Sequence, residues 1–157
     1  MERNEIIKSS YAEAVKGLNK AVLNEKDLWY SYVINLPIRL QVVYTVVVFH
    51  QQVMNGGLHQ YFFNSYGQFS FLTIDNLKLI KAFQSREILK QALAEVNREQ
   101  LGVNEFREKA FNRKLERIVD FDEALFSFLD ELDTKYYALK ENLDDLMIIY
   151  LEGHLSE

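Results

Sequence analysis

The chain of 157 residues has no cysteine, one proline, one tryptophan and six glycines. Without thiols there are no disulfides, thiolate nucleophiles or cysteine metal sites, and a reducing compartment fits this usage. A single proline and few glycines leave little to interrupt helices. Long hydrophobic runs are also missing. The most apolar stretch, residues 42–49, is far shorter than the roughly 20 residues a spanning helix needs, and the opening residues carry no apolar leader. A soluble cytoplasmic protein with no membrane contact is expected. Apolar residues make up 48% and aromatic residues 13% of the chain, enough to build one core. One all-α domain over residues 1–157 is the expectation, argued from the elements below.

The net charge of −5 conceals an uneven distribution. From Glu116 onward twelve acids face Arg117, Lys135 and Lys140, giving −9, and the preceding 115 residues carry +4. An acidic C-terminal quarter argues against direct nucleic-acid binding there, because phosphates need Lys and Arg to neutralise them.

Ser10 and Glu13 have capping-box spacing, and Tyr11, Ala14, Val15, Leu18 and Val22 follow it at helical intervals, which predicts a helix over 11–23. A shorter helix over 27–35 ends before Pro37, which suits the first turn of the next element. Residues 38–54 allow two readings. The β-branched run before Asn55-Gly56 resembles a hairpin arm, whereas Leu40, Val43, Tyr44, Val47 and Val48 keep helical spacing with apolar residues on the other faces. A helix buried all round is the reading adopted, closed by Asn55 or Gly56 in the left-handed conformation.

A short helix with Leu58, Tyr61 and Phe62 follows, and Ser65-Tyr66-Gly67-Gln68 opens another through Ile74, Leu77 and Ile80 or Lys81, with Ser65 as cap. Helices over 86–97 and 104–119 flank a loop at Gly102. Asp120 and Glu123 cap a helix holding Leu125, Phe128, Leu129 and Leu132, and Asn142 caps the last one. The whole predicts a bundle of about seven to nine helices.

The segment 52–67 concentrates the chemistry. It joins a glycine pair to amides and aromatics, and draws His50, Asn55, His59, Gln60 and Asn64 near one another in sequence. These five residues define one functional reading, a small-ligand-binding or catalytic pocket. A metal site on His50, His59 and His154 lacks ligand spacing, and no nucleophile elbow surrounds Ser65. Anion binding at Asn55-Gly56-Gly57 lacks any Lys or Arg between Arg39 and Lys78. A structural turn, with Gln60 and Asn64 bonding to neighbouring backbone, accounts for the segment instead. The aromatics Tyr61, Phe62, Phe63, Tyr66, Phe69 and Phe71 stand in an uncharged stretch, so core or oligomer contact is expected of them rather than base stacking. No catalytic residue, metal or cofactor is assigned.

Residues 52–67 resemble a bacterial family of small helical proteins whose named member is described as a DNA mimic. The family's pattern reads Glu-Val-Asn-Asn-Gly-Gly-Phe-x-Gln-Phe-Phe-x-Asn-Ser-Ser-Gly. Val53, Asn55, Gly56, Gly57, Gln60, Phe62, Asn64, Ser65 and Gly67 match it, and Tyr61 replaces one aromatic by another. Gln52, Met54, Leu58 and Tyr66 depart from it. Leu132-Asp133 with Tyr136-Tyr137, and the closing helix through Leu146 and Tyr150, extend the resemblance over about 30–152.

The resemblance implies an all-α fold, a homodimer, and a non-enzymatic protein whose carboxylates imitate DNA phosphates to occupy and inhibit a basic DNA-binding protein. Asp130, Glu131, Asp133, Glu141, Asp144, Asp145 and Glu152 are the candidate acids for that face. Gln52 in place of Glu removes any acid chemistry at that position and favours a structural role for the motif.

Overall fold

The structure, a computed structural model, describes residues 2–155. Their regular structure is all helical, with no strand among the described residues. In order they form α1 (Arg3–Val15), α2 (Lys20–Leu23), α3 (Lys26–Ile34), α4 (Ile38–Phe63), a 3-10 turn (Tyr66–Phe69), α5 (Ser70–Leu79), α6 (Phe83–Val96), α7 (Val103–Phe111), α8 (Glu116–Val119), α9 (Glu123–Tyr137) and α10 (Leu143–Glu152). Among the described residues no helix is long and apolar enough to cross a membrane.

Helix α4 is the axis of the bundle. Its residues 40–46 are all buried, so the ambiguous valine run is a helix covered on every side, with α1, α3, α5, α8 and α9 packed around it. Thr45 fits this apolar setting because its hydroxyl donates to Gln41 O at 2.9 Å and accepts from Asn76 Nδ2 at 2.8 Å. The main core joins α4 to α5, α6, α7, α9 and α10 through Phe49, Tyr61, Phe62, Leu77, Leu89, Phe106, Leu129 and Met147. Tyr61, Phe62 and Phe69 are core residues, as their uncharged surroundings suggest. A second cluster centres on Trp29, whose indole N–H donates to Tyr44 Oη at 3.0 Å.

Several expected boundaries move, each for an identifiable reason. Helix α1 begins at Arg3 and stops at Val15, so Ser10 is a buried mid-helix residue and not a cap. The chain breaks at Gly17, where a Cβ would meet the Tyr32 ring; the Tyr32 hydroxyl accepts from Gly17 N and donates to Ala14 O. Asn19 then caps α2. The segment 104–119 is two helices, because Arg113 turns left-handed at φ 54° and pairs Arg113 N with Ala110 O and Lys114 N with Lys109 O. That is a Schellman closure made without glycine. Asp122, two residues after the expected Asp120, caps α9 by accepting from Leu125 N at 2.8 Å. Asn142 caps α10 as expected.

Candidate functional site

The glycine pair bends α4 at one residue only. Gly56 stays helical, and Gly57 takes φ 81° and ψ 179°, a region that essentially only glycine occupies. The expected closure at Asn55 or Gly56 therefore falls one residue later, and the chain resumes as helix immediately afterwards. The kink releases backbone donors. Asp133 of α9 takes one of them, its Oδ1 accepting from Leu58 N at 2.8 Å. The same carboxylate fills the space a side chain at 57 would need, with Asp133 Cγ 3.0 Å from an ideal Cβ.

Amides tie the two halves of the bent helix together. Gln52 Oε1 accepts from Gln60 Nε2 and from Asn64 Nδ2, each at 3.0 Å, so Gln60 and Asn64 bond to a side chain and not to neighbouring backbone as expected. Asn55 Nδ2 reaches Gln60 Oε1 at 3.4 Å. An acceptor oxygen at position 52 meets both donors, a task a glutamate there would also perform. Ser65 takes φ 71° and caps no helix with its side chain; its hydroxyl donates to Phe111 O at 3.2 Å. Gly67 lies where a Cβ would come 3.0 Å from Phe62 Cα.

The two histidines do not join this cluster. His59 Nε2 bonds to Ile118 O at 2.9 Å and its ring stacks on Phe121 at 4.7 Å. His50 Nδ1 lies 2.6 Å from Tyr136 Oη. Burial pushes the Tyr136 phenol up and the His50 imidazole down, so a neutral O–H donates to a neutral ring. A cleft of about 150 Å³ beside them is lined by His50, Met54, Ser85, Tyr136, Tyr137, Leu139, Glu141 and Leu143. Asn55, His59, Gln60 and Asn64 lie outside that lining. Among the described residues no group of three or more His, Asp or Glu converges to hold a metal ion.

The seven candidate acids occupy different settings. Asp130, Glu131, Asp144, Asp145 and Glu152 are exposed. Asp144 and Asp145 stand in the first turn of α10, where the helix macrodipole favours them, and Glu152 lies 3.9 Å from Arg3. Glu141 is partly buried and caps α6 from outside, accepting from Gln84 N at 3.0 Å, Ser85 N at 2.9 Å and Ser85 Oγ at 2.6 Å. Asp130 and Asp133 act electrostatically on Tyr137, and Glu141 and Asp144 on Tyr136. Asp130 and Asp133 share α9 with Tyr136 and Tyr137, Glu141 lines the cleft beside both tyrosines, and Asp144 opens the helix that follows. Sequence reading gave no role to the exposed rings of Phe121 and Phe126, which flank the start of α9; no local pattern marks an aromatic residue for the surface.

Burial, opposed by the Leu58 N–H, pushes the Asp133 carboxyl up to about 6 from its ordinary 3.8. A carboxyl that holds its proton more tightly in the folded state contributes most below the unfolded value. That contribution is lost as pH rises through the window from about 4 to about 6. The side chain is partly buried, and screening by the solvent it still meets leaves about 1–2 kcal/mol of the shift as a stability effect. Asparagine keeps an oxygen for Leu58 N without the charge. Asp133→Asn is therefore expected to be more stable than the parent by about 1 kcal/mol near pH 7.5, with the gain vanishing near pH 4. Urea unfolding at the two pH values measures this, and a gain that does not change with pH contradicts it.

Comparison with curated proteins and with solved structures gives no match. The model of one family, described as DMP19-like protein, matches residues 34–154, which takes in the kinked helix, the amide cluster and every candidate acid. Over that span, most of its length, the chain belongs to the DMP19-like protein family.

Proposed function

We propose that this protein is a non-enzymatic interaction module, an acidic DNA mimic that occupies and inhibits a basic DNA-binding protein. The observation that carries the reading is the succession of Asp130 and Asp133 on α9, Glu141 in the turn after it and Asp144 at the start of α10, within a quarter of the chain whose net charge is −9. Duplex DNA presents one charge per about 1.7 Å of its axis, so an imitator needs carboxylates held in a fixed arrangement. Two of these acids are held by backbone N–H groups of other helices, Asp133 by Leu58 and Glu141 by Gln84 and Ser85. Asp130 and Asp144 are exposed on α9 and α10, as are Glu131, Asp145 and Glu152, the last of them beside Arg3.

The expected behaviour is electrostatic. A tagged form should retain basic partners that elute with salt, their affinity falling about tenfold or more between low and physiological ionic strength. Neutralising four exposed acids together, Asp130→Asn, Glu131→Gln, Asp144→Asn and Asp145→Asn, should weaken that affinity by roughly 5- to 100-fold. It should also abolish competition with duplex DNA for the partner. Retained partners that are neither basic nor salt-sensitive would sink the reading.

A further inference from the structure

Phe121 occupies a position that the backbone reserves for a small residue. Its φ is 52°, its N–H points to Ile118 O at 3.4 Å, and the following Asp122 N–H bonds to Arg117 O at 3.0 Å. These paired bonds close α8 as a Schellman motif, whose left-handed residue is best supplied by glycine. A bulky side chain there strains the backbone. Burial does not offset that strain, because Phe121 is 58% exposed. Its ring lies on His59, and Phe126, 47% exposed, meets the same imidazole edge-on at 5.8 Å.

Between the two rings an open groove of about 360 Å³ is lined by Phe121, Glu123, Phe126 and Ser127. Glu123, Phe126, Ser127 and Asp130 recur at helical spacing and are all exposed, so they form one stripe along α9. The stripe runs from the groove into the acidic corner at Asp130. Asp120 beside Phe121 is exposed as well. Of the cations in this part of the chain, Arg117 is engaged by Glu95 at 3.3 Å and Asp122 at 3.7 Å, and Arg113 lies over the Phe63 ring at 5.4 Å.

We propose that the Phe121–Phe126 groove is the docking site for a basic amphipathic segment of the protein partner. An aliphatic or aromatic side chain sits between the two rings, and lysine or arginine beside it reaches Asp120, Glu123 and Asp130. The proposal rests on the acidic-interaction reading above. It adds what carboxylates alone lack, an apolar anchor that fixes register and separates the partner from any polycation.

The test uses the full chain and a labelled amphipathic peptide of lysine and leucine in helical register, compared with a lysine–serine peptide of equal charge. Fluorescence anisotropy should show the lysine–leucine peptide binding at least about tenfold more tightly. Phe121→Gly should remove that advantage, while its melting temperature stays unchanged or rises because glycine relieves the strained φ. Phe126→Ser should act in the same direction. Amide shifts in an NMR titration should localise to Phe121, Glu123, Phe126 and Ser127. Equal binding of the two peptides, indifference to Phe121→Gly, preference for a neutral or acidic peptide, or a change of oligomeric state on Phe121→Gly each overturns the proposal. Loss of binding on neutralising Asp130, Glu131, Asp144 and Asp145 with no effect of Phe121→Gly leaves the acidic reading standing and removes only this one. Binding that ignores salt yet needs Phe121 removes the acidic reading and, with it, the basic occupant proposed for this groove.

Discussion

Gly57→Ala should destabilise the protein by about 3 kcal/mol or more, although it adds a single methyl group. Two costs combine. The conformation at φ 81° and ψ 179° is essentially closed to any residue with a Cβ, which accounts for about 1–3 kcal/mol. The new methyl would also overlap the Asp133 carboxylate, which cannot retreat without giving up Leu58 N. An unfilled donor at the start of a buried helical segment costs about 1–3 kcal/mol more. The two parts separate in a double-mutant cycle. In an Asp133→Ala background the overlap is gone and only the backbone strain remains, so Gly57→Ala should cost less there than in the parent. Gly56→Ala is the contrast in backbone, because position 56 is helical; its methyl would meet the Gln60 side chain, which can move aside only by giving up Gln52. Denaturant unfolding of the five proteins reads all of this, and a Gly57→Ala penalty under about 1 kcal/mol defeats the account.

That residue also marks how far sequence reasoning reached. An Asn-Gly-Gly run announces a backbone change, and the apolar residues before and after it announce helices, so a bent buried helix was within reach. Which glycine bends was not, because the choice depends on Asp133, whose carboxylate, 75 residues from Leu58, supplies the missing acceptor. Glu141 repeats the pattern, capping α6 from 56 residues away. Local spacing reads a cap only when the cap is local, as at Asn142.

Helix ends without glycine were hidden for a related reason. Lys81, Arg113 and Phe121 all adopt positive φ at Schellman closures, where glycine is the usual signal. The single helix expected over 104–119 and the cap expected at Asp120 both failed at such a closure. Ser10 and Glu13 had the spacing of a capping box, but residues 3–9 before them are equally able to be helical, and tertiary packing drew Ile6 and Ser10 into the interior. In the candidate site, the amides were legible as a cluster because helical spacing places Gln60 above Asn64. Their common acceptor, Gln52, became visible only once the kink folded the helix back toward it.

Phe49→Ala should cost about 3–5 kcal/mol and should be felt at the acidic corner as well as in the core. Phe49 is fully buried in α4 and meets two rings edge-on, Tyr61 at 5.3 Å and Tyr136 at 5.6 Å. Such pairs add about 0.5–1.5 kcal/mol each beyond the area they bury. Tyr136 is one of three residues that fix α9 against α4, with Asp133 on Leu58 N and Tyr137 on Val53 O: its ring leans on Phe49 and its hydroxyl holds His50. Removing the Phe49 ring leaves Tyr136 unsupported and lets water approach His50. The imidazole, held below its usual value chiefly by burial, should then titrate at higher pH, toward about 6.5. Phe49→Leu retains most of the apolar volume and should cost less than about 1.5 kcal/mol beyond the lost ring contacts. Thermal or urea unfolding gives the stabilities, and an NMR titration of His50 gives the second readout. A large loss of stability with the His50 titration unmoved would mean that α9 holds its place without Phe49. The fixed arrangement of Asp130 and Asp133 on α9 would then have to come from its other buried contacts, Leu125, Leu129 and Leu132.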